Sequence, residues 1–369
     1  MGGHMARAAN KKSLRLLFSV LGILAGIVSQ AWWASPTFAA TSDYNVYVAN
    51  QGNGTLSTID STANTVTGTV PVGQSPYQIA VSPDGLRVYT PNYLSGTVSV
   101  VDTITNSVIA TIPVGPNPNA VFSDLTGSRI YVDVNGEAVI KVINAQTYVV
   151  EAQIPVSTVG TGHMSPDGSK LYISNQYGDS IFVIDTSTNM VTDTIPGIGP
   201  QPGQITVSPD GSRIYVSTQA GLTVVDPITH AVIATIPEIT NGTPAITPDG
   251  SRIYATTTGT GAVKVLNTQT NTVIDSINIG SDGLHAVVSP DGSRVYVSIE
   301  TLGMVDAIDT SSDSVIATIA VGGGPGSLAI GAMSHPITKD QCKDGGWMHF
   351  SNLTFKNQGE CILFVNLQS

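Results

Sequence analysis

The chain has 369 residues with only 11% charged, 38 glycines and 21 prolines, and it contains no long stretch of helical periodicity. This composition favours an all-β protein over a helical one. The 15 Lys and Arg against 26 Asp and Glu give a net charge of −11. Because nucleic acids and anionic membranes are held by Lys and Arg, we expect no nucleic-acid partner.

The first 40 residues have the pattern of a secretory signal peptide. Basic residues precede the apolar run Leu16–Val28, and small residues around Ala39 suit cleavage, while Met1–His4 resembles a vector-derived scar. The alternative is an uncleaved membrane anchor, because the apolar run can be extended to Trp33. Without residues 1–40 the chain has 11 Lys and Arg against 26 Asp and Glu, a net charge of −15. We predict a secreted, periplasmic or cell-surface protein that meets a membrane only through an uncleaved leader.

Residues 78–115 form a unit of which six other stretches are imperfect copies. Four runs rich in Val, Ile, Thr and Tyr predict four consecutive antiparallel strands, which we name A to D. The Pro83-Asp84-Gly85 turn joins A to B as a hairpin, because Pro presets φ and Gly accepts a positive φ. Prolines that recur in strand D place that strand at the outer edge of each sheet.

The tyrosine of strand B recurs at spacings of 39 to 43 residues, as Tyr47, Tyr89, Tyr131, Tyr172, Tyr215, Tyr254 and Tyr296. Seven four-stranded antiparallel units with this period predict a seven-bladed β-propeller over residues 41–333. The first unit begins with its strand B, and a strand A without a following strand B stands at residues 327–332. We therefore expect blade 1 to be closed by strands from both termini, which removes a free sheet edge.

Three strand B segments carry a family resemblance, Tyr47-Val48-Ala49-Asn50, Tyr89-Thr90-Pro91-Asn92 and Tyr172-Ile173-Ser174-Asn175. With the Ser-Pro-Asp-Gly turns, they resemble the YVTN family of β-propeller repeats, found in exported and surface-layer proteins of bacteria and archaea. The resemblance implies the architecture but not one activity. Similar proteins range from surface-layer components and periplasmic binding proteins to, more distantly, lactonase, lyase and dehydrogenase propellers.

Residues 334–369 lie beyond the repeats and contain both cysteines of the chain, Cys342 and Cys361. In an exported chain, two cysteines predict one disulfide. The segment resembles a short C-terminal module of secreted bacterial proteins, and it is too small to hold a core alone. We expect a small C-terminal module with that one disulfide.

Five aspartates recur in the A–B hairpins, each three residues before a Lys or Arg: Asp84, Asp167, Asp210, Asp249 and Asp291. Their repetition favours turn capping with an exposed ion pair over catalysis or metal binding. Asp133–Glu137 resembles the start of a calcium loop, but Asn144 stands at its twelfth position, so a tight B–C connection is expected. His163, His230 and His285 share no metal-binding spacing. We predict no metal and no cofactor.

The residue seven positions before each hairpin glycine is expected at the mouth of the central channel. Six of the seven residues at this position are polar, namely Gln78, Thr161, Gln204, Thr243, His285 and Ser327. The B–C loops add further residues to this rim, notably Tyr93, Gln176 and Glu300. Amides and hydroxyls favour hydrogen-bonding recognition over proton transfer. The alternative is a water-filled mouth without a ligand.

Two functions follow from these residues. The first is an exported, monomeric binding or scaffold protein that engages a cell-surface, glycan or peptide partner through its channel mouth, with no catalytic residue. The second is a hydrolase or lyase of the lactonase-like type, in which His285 and Glu300 lie within hydrogen-bond reach and the carboxylate raises the pKa of the imidazole. The regularity of the copies favours binding, because only one charged pair departs from the repeat.

Overall fold

The computed structural model describes residues 44–156 and 160–332. In these ranges 28 strands form seven antiparallel sheets of four strands each, with a single 3-10 turn over Glu300–Leu302. The predicted all-β, seven-bladed propeller is therefore confirmed. The predicted leader over residues 1–40 and the C-terminal module with Cys342 and Cys361 lie outside the described residues.

The strands follow one another blade by blade along the chain. Blades 1 to 3 contain β1 (Tyr44–Asn50), β2 (Thr55–Asp60), β3 (Thr65–Pro71), β4 (Ala80–Val81), β5 (Arg87–Asn92), β6 (Thr97–Asp102), β7 (Ser107–Pro113), β8 (Pro118–Ser123), β9 (Arg129–Val134), β10 (Val139–Asn144) and β11 (Val150–Pro155). Blades 4 and 5 contain β12 (Gly162–Met164), β13 (Lys170–Asn175), β14 (Ser180–Asp185), β15 (Met190–Ile195), β16 (Ile205–Val207), β17 (Ile214–Thr218), β18 (Gly221–Val225) and β19 (Val232–Ile236). Blades 6 and 7 contain β20 (Pro244–Ile246), β21 (Arg252–Thr256), β22 (Ala262–Asn267), β23 (Thr272–Asn278), β24 (His285–Val288), β25 (Arg294–Ile299), β26 (Met304–Asp309) and β27 (Ser314–Ala320), and β28 (Pro325–Ala332) completes blade 1.

The ring is closed by pairing between the first and last described strands. Strand β28 pairs antiparallel with β1, from Tyr44 opposite Ala332 to Asn50 opposite Pro325. The innermost strands β4, β8, β12, β16, β20, β24 and β28 each contact the next, and β28 contacts β4 again. They form a closed circle around the axis, as the repeat predicted.

The cores lie between neighbouring blades, because each sheet is apolar on both faces. One cluster joins Tyr172 and Ile181 of blade 4 to Ile205 and Ile214 of blade 5, all nearly inaccessible to solvent. The outer strands are largely exposed: in β3 exposed and partly buried residues alternate, and in β15 all residues but the last are exposed. Prolines end β3, β7 and β11 at this outer edge, where a missing N–H costs no ladder hydrogen bond.

Candidate functional site

The innermost strands enclose a central channel with a cavity of about 280 Å³. Four of the predicted binding residues line it together, Gln78, Gln204, Thr243 and His285, which come from blades 2, 5, 6 and 7. Among the described residues that line the cavity, none is Asp, Glu, Lys or Arg. The mouth thus concentrates amide, hydroxyl and imidazole groups in an uncharged space.

Three of the predicted hydroxyls already bond to a neighbouring blade. Thr161 Oγ1 donates to a carbonyl of blade 5 at 2.9 Å, and Thr243 Oγ1 donates to a carbonyl of blade 7 at 3.0 Å. Ser327 Oγ accepts from the N–H of Ile79 in blade 2 at 3.3 Å. Thr161 and Ser327 are not among the residues that line the cavity. These hydroxyls hold adjacent blades together where the innermost strands begin.

The three predicted residues of the B–C connections lie on the rim, outside the cavity. Gln176 and Glu300 are exposed, and Tyr93 packs its ring against Tyr77 with centroids 5.9 Å apart. Tyr77 is 38% exposed and was not predicted, although it directly precedes Gln78. The rim of blade 2 therefore presents two tyrosine rings beside the channel.

His163 lines the cavity and was missed as a binding residue in the sequence. It is the central residue of β12, the innermost strand of blade 4, and it is exposed between the buried Gly162 and Met164. Its Nδ1 lies 2.8 Å from the carbonyl oxygen of Met164. Enclosure by the ring of blades lowers the pKa of His163 below its usual value, although channel solvent reaches the ring. The signal that could have found it is a polar residue between Gly162 and Met164 in strand A, because successive residues of a strand point to opposite faces.

The predicted acid–base pair of His285 and Glu300 is wrong. Burial lowers the pKa of His285 to about 4, and no carboxylate opposes that shift. The Nδ1 atom of His285 accepts from the N–H of Leu328 at 3.4 Å. Glu300 is exposed and lies in the 3-10 turn, close to Gly324. A Cβ atom added to this glycine would lie 3.9 Å from Glu300 Oε1. His285 lines the cavity and Glu300 does not, and no hydrogen bond or ion pair joins the two side chains among the described residues.

Gln78 is fixed by its own backbone. Its N–H donates to the carbonyl of Asn119 at 3.1 Å, and its carbonyl accepts from the N–H of Val121 at 3.1 Å. The side-chain Oε1 is buried and has no hydrogen-bond partner among the described residues. A buried acceptor without a partner costs free energy, and because solvent does not reach this atom, the side chain must turn before a ligand in the channel can donate to it.

Asp133 does not belong to a calcium loop but lies inside β9, fully buried. Its position in strand B is equivalent to that of Ser174 in blade 4 and Ser298 in blade 7. The hydroxyls of these serines accept hydrogen bonds from the innermost strands of their own blades. Its Oδ2 accepts from Asn119 Nδ2 at 3.3 Å, while Oδ1 has no partner among the described residues. Burial raises the pKa of Asp133 well above its usual range. This carboxyl group therefore sits beside the channel wall in a site that disfavours its charge.

The hairpin aspartates cap their turns as predicted. Asp210 Oδ1 accepts from the hydroxyl of Ser208 at 2.6 Å and from the N–H of Ser212 at 3.0 Å. These bonds, first that of Ser208, lower the pKa of Asp210 to about 2. Between successive hairpins of blades 4 to 7 lie three similar recesses of about 260, 250 and 380 Å³. They repeat the same residue types at each seam.

Two of the basic residues predicted to pair with the aspartate of their own hairpin bond to the neighbouring blade instead. Arg252 Nη1 lies 3.2 Å from the Asp313 carboxylate of the next blade rather than pairing with its own turn. Tyr254 donates to the same carboxylate at 2.6 Å. Arg294 likewise donates to the carbonyl of Ser61 in blade 1. These arginines reach across the seam, because strand B carries them toward the neighbouring blade.

Within residues 44–156 and 160–332, no group of three or more His, Cys, Asp or Glu is placed to hold a metal ion. In the same part of the chain, no helix has the length and hydropathy needed to cross a membrane.

A family model described as "Domain of unknown function (DUF5074)" matches residues 157–334, less than half of the chain. Among curated proteins, the chain is similar to the PE-PGRS family protein PE_PGRS18 of Mycobacterium tuberculosis (strain ATCC 25618 / H37Rv). The two are 54% identical over 39 residues, which is 11% of this chain and 8% of that protein. The matched chain thus spans a small part of this relative.

Solved structures share the propeller fold. The chain is similar to Kuenenia stuttgartiensis hydrazine synthase, with a TM-score of 0.67, 22% identity, and coverage of 73% of this chain and 93% of that one. A functionally unknown protein from Desulfotomaculum acetoxidans DSM 771 gives a TM-score of 0.66 at 15% identity, covering 79% and 99%. The dihydro-heme d1 dehydrogenase NirN gives 0.60 at 16% identity, covering 78% and 65%. At these identities the likeness shows the fold alone.

Proposed function

We propose that this chain is an exported binding protein of the YVTN-repeat kind, which engages a cell-surface, glycan or peptide partner through the channel mouth of its propeller. The observation that carries the proposal is convergence. Gln78, Gln204, Thr243 and His285 come from four blades and line one uncharged cavity, and His163 joins them. A ligand site is usually a concave space in which a few convergent polar groups lie among apolar side chains, and this cavity contains both kinds of residue.

The rim around this cavity also suits a partner. Tyr77 and Tyr93 place two rings side by side at the rim of blade 2. Leu94 and Tyr177, in the B–C connections of blades 2 and 4, are 68% and 76% exposed. Exposed tyrosines beside a pocket give contact area at low entropic cost, so the cavity can hold the end of a larger partner while the rim contacts the rest.

The second function, hydrolysis or elimination, has no observation in its favour. It needed His285 and Glu300 as partners, and no hydrogen bond, ion pair or effect of Glu300 on the pKa of His285 joins them among the described residues. Recognition therefore accounts better for the cavity than proton transfer does.

The test is a thermal-shift screen of sugars and peptides on the wild-type chain and on two matched variants. The first, His285→Ala with Gln204→Ala, changes the cavity, and the second, Asp210→Asn, changes the hairpin face. A ligand present at 100 times its Kd stabilises the native state by about 2.7 kcal/mol, which raises the unfolding midpoint.

We expect the cavity variant to lose this rise and the hairpin variant to keep it. A ligand whose effect disappears only in Asp210→Asn would place the site on the hairpin face and contradict the proposal.

Export, a monomeric state and a bond between Cys342 and Cys361 complete the proposal. N-terminal sequencing after expression in a bacterial host with a secretion pathway tests cleavage near Ala39. Mass spectrometry of non-reduced peptides tests the disulfide, for which a closed loop of about 20 residues is worth roughly 3 kcal/mol to the tail in chain-entropy estimates. Two free thiols in the secreted protein would contradict the pairing.

A further inference from the structure

The contact of His163 with the backbone determines what its ring offers to the channel. Its Nδ1 lies 2.8 Å from the carbonyl oxygen of Met164. A carbonyl oxygen can only accept, so Nδ1 must carry the proton of the neutral ring. The Nε2 atom, which has no partner among the described residues, is then a hydrogen-bond acceptor.

The ring of His285 is held in the opposite tautomer. Here the backbone group is the N–H of Leu328, which can only donate, and it lies 3.4 Å from Nδ1. Nδ1 must therefore present its lone pair, and the neutral ring carries its proton on Nε2. This Nε2–H is a hydrogen-bond donor. Enclosure by the ring of blades lowers the pKa of both imidazoles below the usual value of about 6.5, so the neutral form is favoured near pH 7.

The other residues that line the cavity are also uncharged, and they add both polar and apolar groups. The amide side chains of Gln78 and Gln204 line the cavity, and an amide can both donate and accept. Val287, Val288 and Ile330 form an apolar wall of the same cavity. The cavity thus combines fixed donors and acceptors with an apolar wall and has no charge to pair with a charged ligand.

We propose, as a refinement that rests on the proposed function, that this cavity binds an uncharged sugar ring, such as the terminal residue of a glycan. A hydroxyl donates and accepts, so hydroxyls on different sides of one sugar ring can meet the acceptor of His163 in blade 4 and the donor of His285 in blade 7. A carboxylate lacks a donor for the His163 acceptor, an ammonium group lacks an acceptor for the His285 donor, and either would lose its hydration without a counter-charge. The apolar wall suits the C–H face of the ring.

The size of the cavity agrees with a single ring. With a volume of about 280 Å³, the cavity is of the order that accommodates a small ligand such as one sugar ring. The remaining units of a glycan would lie on the rim, beside Tyr77 and Tyr93.

The tautomers are tested without any ligand. Nitrogen-15 NMR of histidine-labelled full chain at pH 7 distinguishes a protonated Nδ1 from a protonated Nε2, and His163→Gln and His285→Gln assign the signals. We expect His163 to carry its proton on Nδ1 and His285 on Nε2. The same tautomer in both rings, or a charged ring at this pH, overturns the inference.

Ligand class is tested by calorimetry with defined probes on the same chain. These are methyl glucoside and methyl galactoside, the matching uronic acids and amino sugars, and N-acetylglycinamide as a neutral amide. We expect a neutral glycoside to bind, its charged counterparts to bind at least about tenfold more weakly, and His285→Ala or Gln78→Ala to weaken binding by about the same factor. His230→Ala, in an exposed turn, is the matched control and should leave affinity unchanged.

The outcomes separate this inference from the proposed function. Tighter binding of a charged sugar or of the amide, still weakened by His285→Ala, overturns the sugar assignment and leaves channel binding in place. Binding that no cavity variant changes overturns both. Absence of binding by every neutral glycoside at millimolar concentration overturns the sugar assignment, and the wider ligand screen then decides whether the channel binds at all.

Discussion

The hairpin face is built from equivalent residues of successive blades, and so is the channel lining. The two surfaces differ in how far the residue type repeats from blade to blade. On the hairpin face, Asp167, Asp210 and Asp249 accept hydrogen bonds from the same two neighbours in each turn. In the channel, equivalent positions hold Gln78, Gln204 or His285 according to the blade.

The difference indicates what each set of residues does. A residue that every turn needs recurs in every turn, whereas a single ligand on the axis meets each blade from a different direction and so requires different side chains. Thr161 and Thr243 limit this rule. The residue type at their position differs from blade to blade, as in a binding site, yet their hydroxyls join neighbouring blades. Variation therefore identifies the channel, and the contacts then separate binding residues from those that close the ring.

The largest effect should come from removing the strand that closes the ring. A chain ending at Val321 lacks β28, and so loses the pairing of β1 and the buried side chain of Leu328. Each large apolar side chain is worth about 1.5–3 kcal/mol, and unpaired strand edges promote aggregation. We expect the unfolding midpoint to fall by more than about 10 °C relative to a chain ending at Met333, or the protein to be insoluble. Equal melting and solubility of the two chains would contradict closure by β28.

The fold was predictable because the sequence repeats the same four-stranded unit seven times. The tyrosine spacing, the hairpin turns and the displaced strand A each gave the same architecture, so errors in one copy were corrected by others. Even so, β4 contains only Ala80–Val81, because Gln78 bonds to the neighbouring blade instead of continuing the strand. The residue pattern of a single strand does not indicate such contacts between blades.

The candidate site was predictable only in part. The position of Gln78, Gln204, Thr243 and His285 followed from the repeat, but the pairing of His285 with Glu300 assumed a contact that the structure does not contain. Asp133 was assigned to a connection because its neighbours resemble a loop, whereas the strand register places it in the core. Which way a loop turns depends on the packing of adjacent blades, and a single sequence does not contain that information.

A pH titration should distinguish the channel from the hairpin face. Burial lowers the pKa of His285 to about 4, from about 6.5 in an unfolded chain. Between these values the unfolded state binds more protons, so stability present above pH 6.5 is lost as the pH falls toward 4, by up to about 3 kcal/mol. His285→Gln should remove this slope when its stability is compared with the wild type at each pH. Gln204→Asn, a non-titrating change in the same cavity, should keep the slope.

Asp133→Asn should stabilise the protein at neutral pH. Burial raises the pKa of Asp133, so the folded state keeps a proton that the unfolded state releases, and stability falls as the pH rises above about 3.9. The variant should therefore unfold at higher urea than the wild type at pH 7 and at the same urea at pH 4. Asp306→Asn should show a smaller gain, because Thr318 donates to that carboxylate at 2.6 Å. A loss of stability at pH 7 in Asp133→Asn would mean that the carboxylate is charged and paired.

The smallest effects should come from the hairpin face, and they should be equal from blade to blade. Asp167 and Asp210 accept from the hydroxyl two residues before and from the N–H two residues after, and these bonds lower the pKa of each to about 2. Their contribution is present above the unfolded value of about 3.9 and is lost as the pH falls through 2. Because both carboxylates are exposed, we expect Asp167→Asn and Asp210→Asn each to cost about 1 kcal/mol or less at pH 7, and to leave ligand affinity unchanged. Urea unfolding gives the two costs, and calorimetry gives the affinity. Unequal costs, or a loss of binding in one of the two, would show that a single hairpin has a role beyond closing its turn.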